Sequence, residues 1–276
     1  MRKKTWKIIV RHLVLAFLAF IWLIPIVWLV VTSLSTTKGV SYQHFFPSHW
    51  TLGNYNQLFF ETDTAANFPA WFKNTFIIAF FTCIVSSAFV LMVSYAFSCM
   101  RFKARKPLIL GMFPGVLSMI AVYFVLKMLG LTDSLAGLVI VYSAGSGLGF
   151  LVLKGFFDTI PVSLREAARL EGASEATIFT KIIIPLSKPM IVYTIINAFL
   201  NPWMDFVMAR IMIKSKDSAD WTVAIGLYNL LQKTLIGDYF SIFCAGGVMI
   251  AIPISILFVV MQKFYVEGVT GGAVKG

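Results

Sequence analysis

The sequence predicts an all-α membrane protein of six transmembrane helices, and three observations carry that prediction. Of its 276 residues, 59% are hydrophobic and only 13% are charged, about half the charged share of an average soluble domain. The apolar residues fall in long charge-poor runs, each near the roughly 20 residues that a helix needs to cross a bilayer. The basic residues gather in alternate loops, so the formal net charge of +11 reports an orientation in the membrane rather than an affinity for nucleic acid. Inside lipid the backbone must satisfy its own hydrogen bonds, and the helix is the form these runs can take.

The first span is expected over residues 13–37. Arg2, Lys3, Lys4, Lys7 and Arg11 precede it, as in a secretory signal, but the run is longer than the apolar core of a cleaved signal and reads as a retained helix. The loop 38–73 is rich in aromatics, and Trp50, Tyr55, Phe59, Trp71 and Phe72 suit the belt where a membrane meets water. Spans two to four are expected over 74–100, 107–128 and 134–155. Within the last of these, Gly145, Gly147 and Gly149 look like a phosphate loop, but no soluble strand precedes them and close helix packing accounts for them.

The fifth span, 189–209, contains Asp205 and, four residues earlier, Asn201. Ionisable groups at such depth face the bundle interior or a watery cavity, so both residues are candidates for lining a polar pathway. The alternative places Asp205 at the outer headgroups, solvated or paired with Arg210. The sixth span is expected over 239–262. Pro25, Pro114, Pro202 and Pro253 fall within spans and predict kinks. Beyond Lys263 the chain is too rich in glycine to hold a helix.

With the N-terminus inside, sixteen Lys and Arg lie in the inner segments and seven in the outer ones, which obeys the positive-inside rule. It also places residues 158–186, the longest charge-rich passage, in the cytoplasm. Ser163 and Glu166 have the spacing of a capping box just after Pro161. A short helix is therefore expected to stop at Gly172, and a second one, capped by Ser174, to end before Pro185. Its first helix would carry Leu164, Ala167, Ala168 and Glu171 on one side and Arg165, Arg169 and Gly172 on another.

Glu166-Ala167-Ala168, three residues to Gly172, nine more to Ile182 and then Ile184-Pro185 resemble the EAA signature of binding-protein-dependent ABC importer permeases. Ile184 stands where leucine is usual. Trp50-Thr51-Leu52-Gly53-Asn54-Tyr55 is similar to a passage of sugar-importer permeases. The Lys154-to-Ile160 entry to the loop, the Gly268-to-Gly276 ending and the six-span plan resemble the smaller permease of maltose and maltodextrin importers. The resemblance covers nearly the whole chain. It implies a cytoplasmic EAA-type coupling loop in which Glu166, Ala167, Ala168, Gly172, Ile182 and Pro185 dock on an ATPase, and Asn201 and Asp205 as candidates for the translocation pathway.

The same resemblance implies that the tail, Thr270, Gly271, Gly272 and Lys275, approaches the ATPase dimer. It implies as partners a larger homologous permease, two ATPase subunits, an external sugar-binding protein and the lipid bilayer. ATP and magnesium would then sit on the ATPase, with no cofactor bound directly and no catalysis in this chain. An ABC permease for another oligosaccharide or solute, and an ion-coupled secondary transporter, stay open as alternatives; several intramembrane acids would favour the latter.

Other chemistry has little to stand on. Cys83, Cys99 and Cys244 lie in apolar runs and read as small buried hydrophobes. His12, His44 and His49 do not reach the ligand count of a catalytic metal site. The sequence holds no Walker-type phosphate loop.

Overall fold

The computed structural model describes residues 2–40, 45–61, 66–100, 102–103, 105, 115–145 and 147–273, and these are almost entirely helical. In chain order the helices are α1 (Arg2–Ser33), α2 (Gly53–Phe60), α3 (Phe68–Cys99), α4 (Gly115–Met128), α5 (Leu135–Ala144), α6 (Gly147–Asp158) and α7 (Val162–Leu170). Then come α8 (Glu175–Ile178, extended through Phe179–Ile183 and Ile184–Leu186), α9 (Lys188–Met204), α10 (Val207–Met212), α11 (Val223–Leu230) and α12 (Ile236–Ala273).

Four stretches of described residues are long and apolar enough to cross a membrane: Ile8–Ser33, Phe68–Cys99, Leu135–Asp158 and Ile236–Gln262. Glu175–Leu186 and Lys188–Met204 make a fifth if taken together, although they are bent by 85°. The expectation of six is thus met in part. Of the third expected span, 107–128, residues 107–114 with Pro114 lie outside the described ones, and α4 supplies only 14 residues. The fifth, 189–209, breaks after Met204, where Asp205 takes an extended ψ of 111° before α10 begins. The last, 239–262, is longer than expected.

That length overturns the expectation for the tail. The backbone stays helical through Thr270, Gly271 and Gly272 to Ala273, because extending an existing helix avoids the cost of nucleation, and a few glycines at about 1 kcal/mol each do not stop it. Lys275 lies outside the described residues.

The chain divides into two compact units. One comprises 1–69 and 226–252, and its organising contact is the end of α1. Asn54 is buried and its Nδ2 donates to the carbonyls of Ser33 and Ser35, at 2.9 and 2.8 Å. The hydroxyls of Ser33 and Tyr55 share a hydrogen bond of 2.7 Å, and Ser35 forms an antiparallel bridge with Trp50. The Trp50-to-Tyr55 passage therefore satisfies carbonyls that the end of a helix leaves without partners. Ser241 donates to the carbonyl of Thr37, and Trp28 packs on Phe240 with ring centroids 5.9 Å apart.

The other unit comprises 70–225 and 253–276, and its described residues include two apolar clusters. Ile78, Leu126, Leu138, Met208, Met212 and Ile225 build one; Tyr95, Phe150, Leu153, Phe157, Ala168, Ile178 and Ile183 build the other. Trp71 corrects the interfacial reading of the aromatic loop. It is fully buried, stacked on Trp221 at 6.2 Å, and its Nε1 donates to the carbonyl of Ser218 at 2.8 Å. A buried indole needs such an acceptor, and the α3 start supplies the geometry to reach one.

Candidate functional site

Residues 158–186 fold into two short helices with a glycine elbow, as expected, but the joints differ. α7 begins at Val162 behind Pro161, without a side-chain cap. Starting there puts Ser163 inside the first turn, so the capping box with Glu166 does not form. At the other end, the amide of Gly172 donates to the carbonyl of Arg169 at 3.0 Å and that of Ala173 to Ala168 at 2.9 Å. This pair of bonds closes the helix in a Schellman motif, whose turning residue needs the left-handed region. Gly172 occupies it with φ 82°.

Ser174 then caps the second helix by accepting from the amide of Thr177 at 3.2 Å. The expected stop before Pro185 is not found. The helix widens into a π turn over Phe179–Ile183 and continues through Ile184–Leu186. Proline lacks an amide proton and its ring crowds the carbonyl four residues back, and a wider turn just before it relieves both problems.

The exposed face of α7 also differs from expectation. Arg165 and Ala168 turn inward, whereas Glu166, Ala167 and Leu170 are exposed. Gly172 and Pro185 are exposed and Ile182 is half-buried. The tilt follows from polar ties that a helical wheel does not include. Tyr95 donates to Glu175 Oε2 at 2.6 Å, and Arg169 Nε donates to Glu175 Oε1 at 2.8 Å. Ser98 donates to Asp158 Oδ1 at 2.6 Å and Lys154 to Oδ2 at 2.5 Å. The ends of α3 and α6 are thereby joined to the elbow. The Tyr95 hydroxyl, helped by Arg169, holds the Glu175 carboxyl below the usual glutamate range.

The second candidate region is a cavity of 560 Å³ whose walls include Tyr142, Gly145, Gly149, Tyr193, Asn197 and Asn201. A neighbouring cavity of 320 Å³ shares Tyr142, Gly145 and Asn201 and adds Asp205. Tyr193, Asn197, Asn201 and Asp205 recur every four residues, which sets them along one side of α9 and its end. Sequence reasoning singled out only the last two. The same spacing pointed to the first two, but neither carries a charge to draw attention.

Asp205 is held on both oxygens. Tyr142 Oη donates to Oδ2 at 2.8 Å, and the amide of Met208 donates to Oδ1 at 3.2 Å. It therefore secures the first turn of α10 to α5, and Arg210 is exposed. Close packing holds for part of the fourth span: a Cβ on Gly137 would lie 2.0 Å from the Leu131 carbonyl and one on Gly145 3.1 Å from that of Val141, whereas one on Gly149 would meet only Val90, at 4.0 Å. Gly145 and Gly149 also line the cavity. Among the described residues no group of three or more His, Cys, Asp or Glu is placed to hold a metal ion.

Comparison with known proteins adds a family and a fold. Residues 106–270 match the model of the family described as binding-protein-dependent transport system inner membrane component. The chain is 33% identical to the galactooligosaccharides transport system permease protein GanQ of Bacillus subtilis, covering 98% of this chain and 96% of that protein. It is 30% identical to the maltodextrin transport system permease protein MdxG of the same organism, covering 97% and 96%. With the maltose/maltodextrin transport system permease protein MalG of Escherichia coli K12 it shares 30% identity, over 98% and 96%. Its fold is similar to a chain in the crystal structure of a bacterial ABC transporter involved in the import of the acidic polysaccharide alginate. The TM-score is 0.73 at 24% identity, over 96% of this chain and 98% of that one.

Proposed function

The chain belongs to the binding-protein-dependent transport system inner membrane components, and from that premise we propose that it is the transmembrane permease subunit of an ATP-driven carbohydrate importer. The substrate is a neutral oligosaccharide, with maltodextrins first and galactooligosaccharides second, the two solute classes for which the relatives MdxG and GanQ are named. One observation carries the choice of a neutral solute. Among the described residues, those lining the 560 Å³ cavity include two tyrosines, two asparagines, a serine and a threonine but no charged side chain. Sugar hydroxyls pair with amide and hydroxyl groups, and a sugar ring's apolar face rests on an aromatic one.

In this reading Asn201 faces the solute from both cavities, and Asp205 keeps the break between α9 and α10 in place. The loop 158–186 is cytoplasmic. Glu166, Ala167, Ala168, Gly172, Ile182 and Pro185 dock on an ATPase subunit that binds ATP and magnesium, and closure of the ATPase pair moves the loop and with it the packed spans. A larger homologous permease, a second ATPase and an external sugar-binding protein complete the assembly. Thr270, Gly271 and Gly272, in the last turn of α12, and Lys275 after it in the sequence approach the ATPase pair, and deleting 270–276 is expected to lower transport without preventing insertion.

The test is affinity purification of the full chain followed by identification of its companions and by uptake of labelled maltotriose and galactobiose in reconstituted vesicles. Recovery with a second permease and an ATPase, together with ATP-dependent uptake of one of the sugars, supports the proposal. Uptake that runs on an ion gradient without any ATPase would overturn it.

A further inference from the structure

Arg165 is in an unusual position for a guanidinium. It is 8% exposed, and its Nε is buried with no hydrogen-bond partner. The two carboxylates nearby do not resolve this. Glu166 is its chain neighbour and points elsewhere on the helix, since adjacent helical residues do not face each other. Glu175 is already held by Tyr95 and Arg169. Arg165 adds through space to the charges that depress the Glu175 carboxyl, yet no acceptor meets its buried Nε, which is costly, so the group is poised for a further anion that arrives from outside this unit.

A cleft of 650 Å³ lies against it. Its walls are Arg105, Arg165, Arg169, Glu166, Glu175 and Val162, with the last residues of α3. With Glu175 matched by Arg169, Arg165 and Arg105 outnumber Glu166. Val162 is the first residue of α7, whose opening turn has no side-chain cap, so the positive end of the helix dipole also meets the cleft.

From these features we infer that the cleft binds a phosphate group, presented by the headgroup of an anionic phospholipid. The guanidinium fork matches two phosphate oxygens. The source follows from position. The apolar run of α3 ends at the cleft and is followed in sequence by Arg101, Lys103, Arg105 and Lys106. On the proposed reading that this loop is cytoplasmic, the cleft lies at the inner headgroup level, where basic pockets between spans hold anionic lipids. Arg165 and Ala168 face inward toward the end of α3, while Ala167 and Leu170 on the opposite side stay open for a protein partner. A bound phosphate completes the hydrogen bonds of Arg165 and braces α7 against α3.

The test uses the full chain purified from membranes into nanodiscs of phosphatidylcholine, with or without phosphatidylglycerol, and counts retained lipids by native mass spectrometry. Wild type is expected to retain phosphatidylglycerol in preference to phosphatidylcholine. Arg165→Gln is expected to lower that retention about tenfold, the loss of one charge-assisted contact, and Arg165→Lys to restore part of it. Arg105→Gln, outside α3 and α7, should give a smaller loss and serves if Arg165→Gln does not accumulate. In a second arm, inorganic phosphate is added to phosphatidylcholine nanodiscs. A phosphate adduct that replaces lipid retention and is lost in Arg165→Gln would overturn the lipid assignment in favour of the free ion. Equal retention of phosphatidylglycerol by wild type and both glutamine variants would overturn the site. The count needs neither ATP nor sugar, so its failure is distinct from a failure of the importer reading.

Discussion

The elbow at Gly172 and the break at Asp205 are both interruptions between helices, and they are built by opposite means. At the elbow the backbone itself is special: a glycine with φ 82° closes a Schellman motif, and no atom within 4 Å would obstruct a side chain there. At the break the backbone is ordinary, with Asp205 at φ −86° and ψ 111°, and a side chain holds the arrangement by reaching Tyr142 and the amide of Met208. The first interruption is therefore sensitive to side chains that disfavour a positive φ. The second is sensitive only to the loss of an acceptor.

The largest effect should come from the elbow. An L-residue in the left-handed region costs roughly 1–2 kcal/mol, and a β-branched one lies toward the upper end. Gly172→Val is expected to lower sugar uptake and ATPase co-purification by about tenfold at equal membrane abundance, whereas Gly172→Asn, which tolerates that region, should stay near wild type. Equal behaviour of the two variants would show that bulk rather than backbone conformation matters at 172.

The cavity comes next. Asn197→Leu and Asn201→Leu each remove amide partners for a hydroxylated solute, and a lost hydrogen bond of this kind is worth about 1 kcal/mol. Uptake should fall about fivefold for each, with ATPase co-purification unchanged. That split separates the cavity from the elbow, and a joint loss of both readouts would merge them.

A smaller effect sharpens the contrast at the break itself. Asp205→Asn keeps one acceptor oxygen, enough for the Met208 amide, while Asp205→Ala keeps none and loses a helix cap worth about 1 kcal/mol. Thermal unfolding of the purified chain should rank alanine well below asparagine, and Tyr142→Phe should add little to Asp205→Ala because the two share one bond. If asparagine is as damaging as alanine, the charge of Asp205 carries the function.

The smallest effect is the acid sensitivity of the elbow. Glu175 has its carboxyl depressed, chiefly by the Tyr95 hydroxyl. Its contribution is complete above the unfolded value of about 4.3 and is lost as pH falls through the lower folded value. Thermal stability of wild type should thus decline more steeply below about pH 4.3 than that of Glu175→Gln. Tyr95→Phe should move the decline to higher pH, since it removes the largest cause of the depression.

Sequence by itself determined the helical class, because uninterrupted apolar runs in lipid leave the backbone no other complete set of hydrogen bonds. It also determined the elbow: Gly172 and the cap Ser174 act on neighbouring backbone, within a few residues, where sequence and geometry are nearly the same thing. Tertiary structure decided the rest. Tyr95 meets Glu175 across 80 positions, and Tyr142 meets Asp205 across 63. Asn54 reaches the end of α1 from 21 residues away. Such partners are chosen by how helices pack, and packing turned Arg165 inward and Leu170 outward against the pattern of the helix alone. Even the tail followed this logic, since a helix already held by the fold carried glycines that would not form one by themselves.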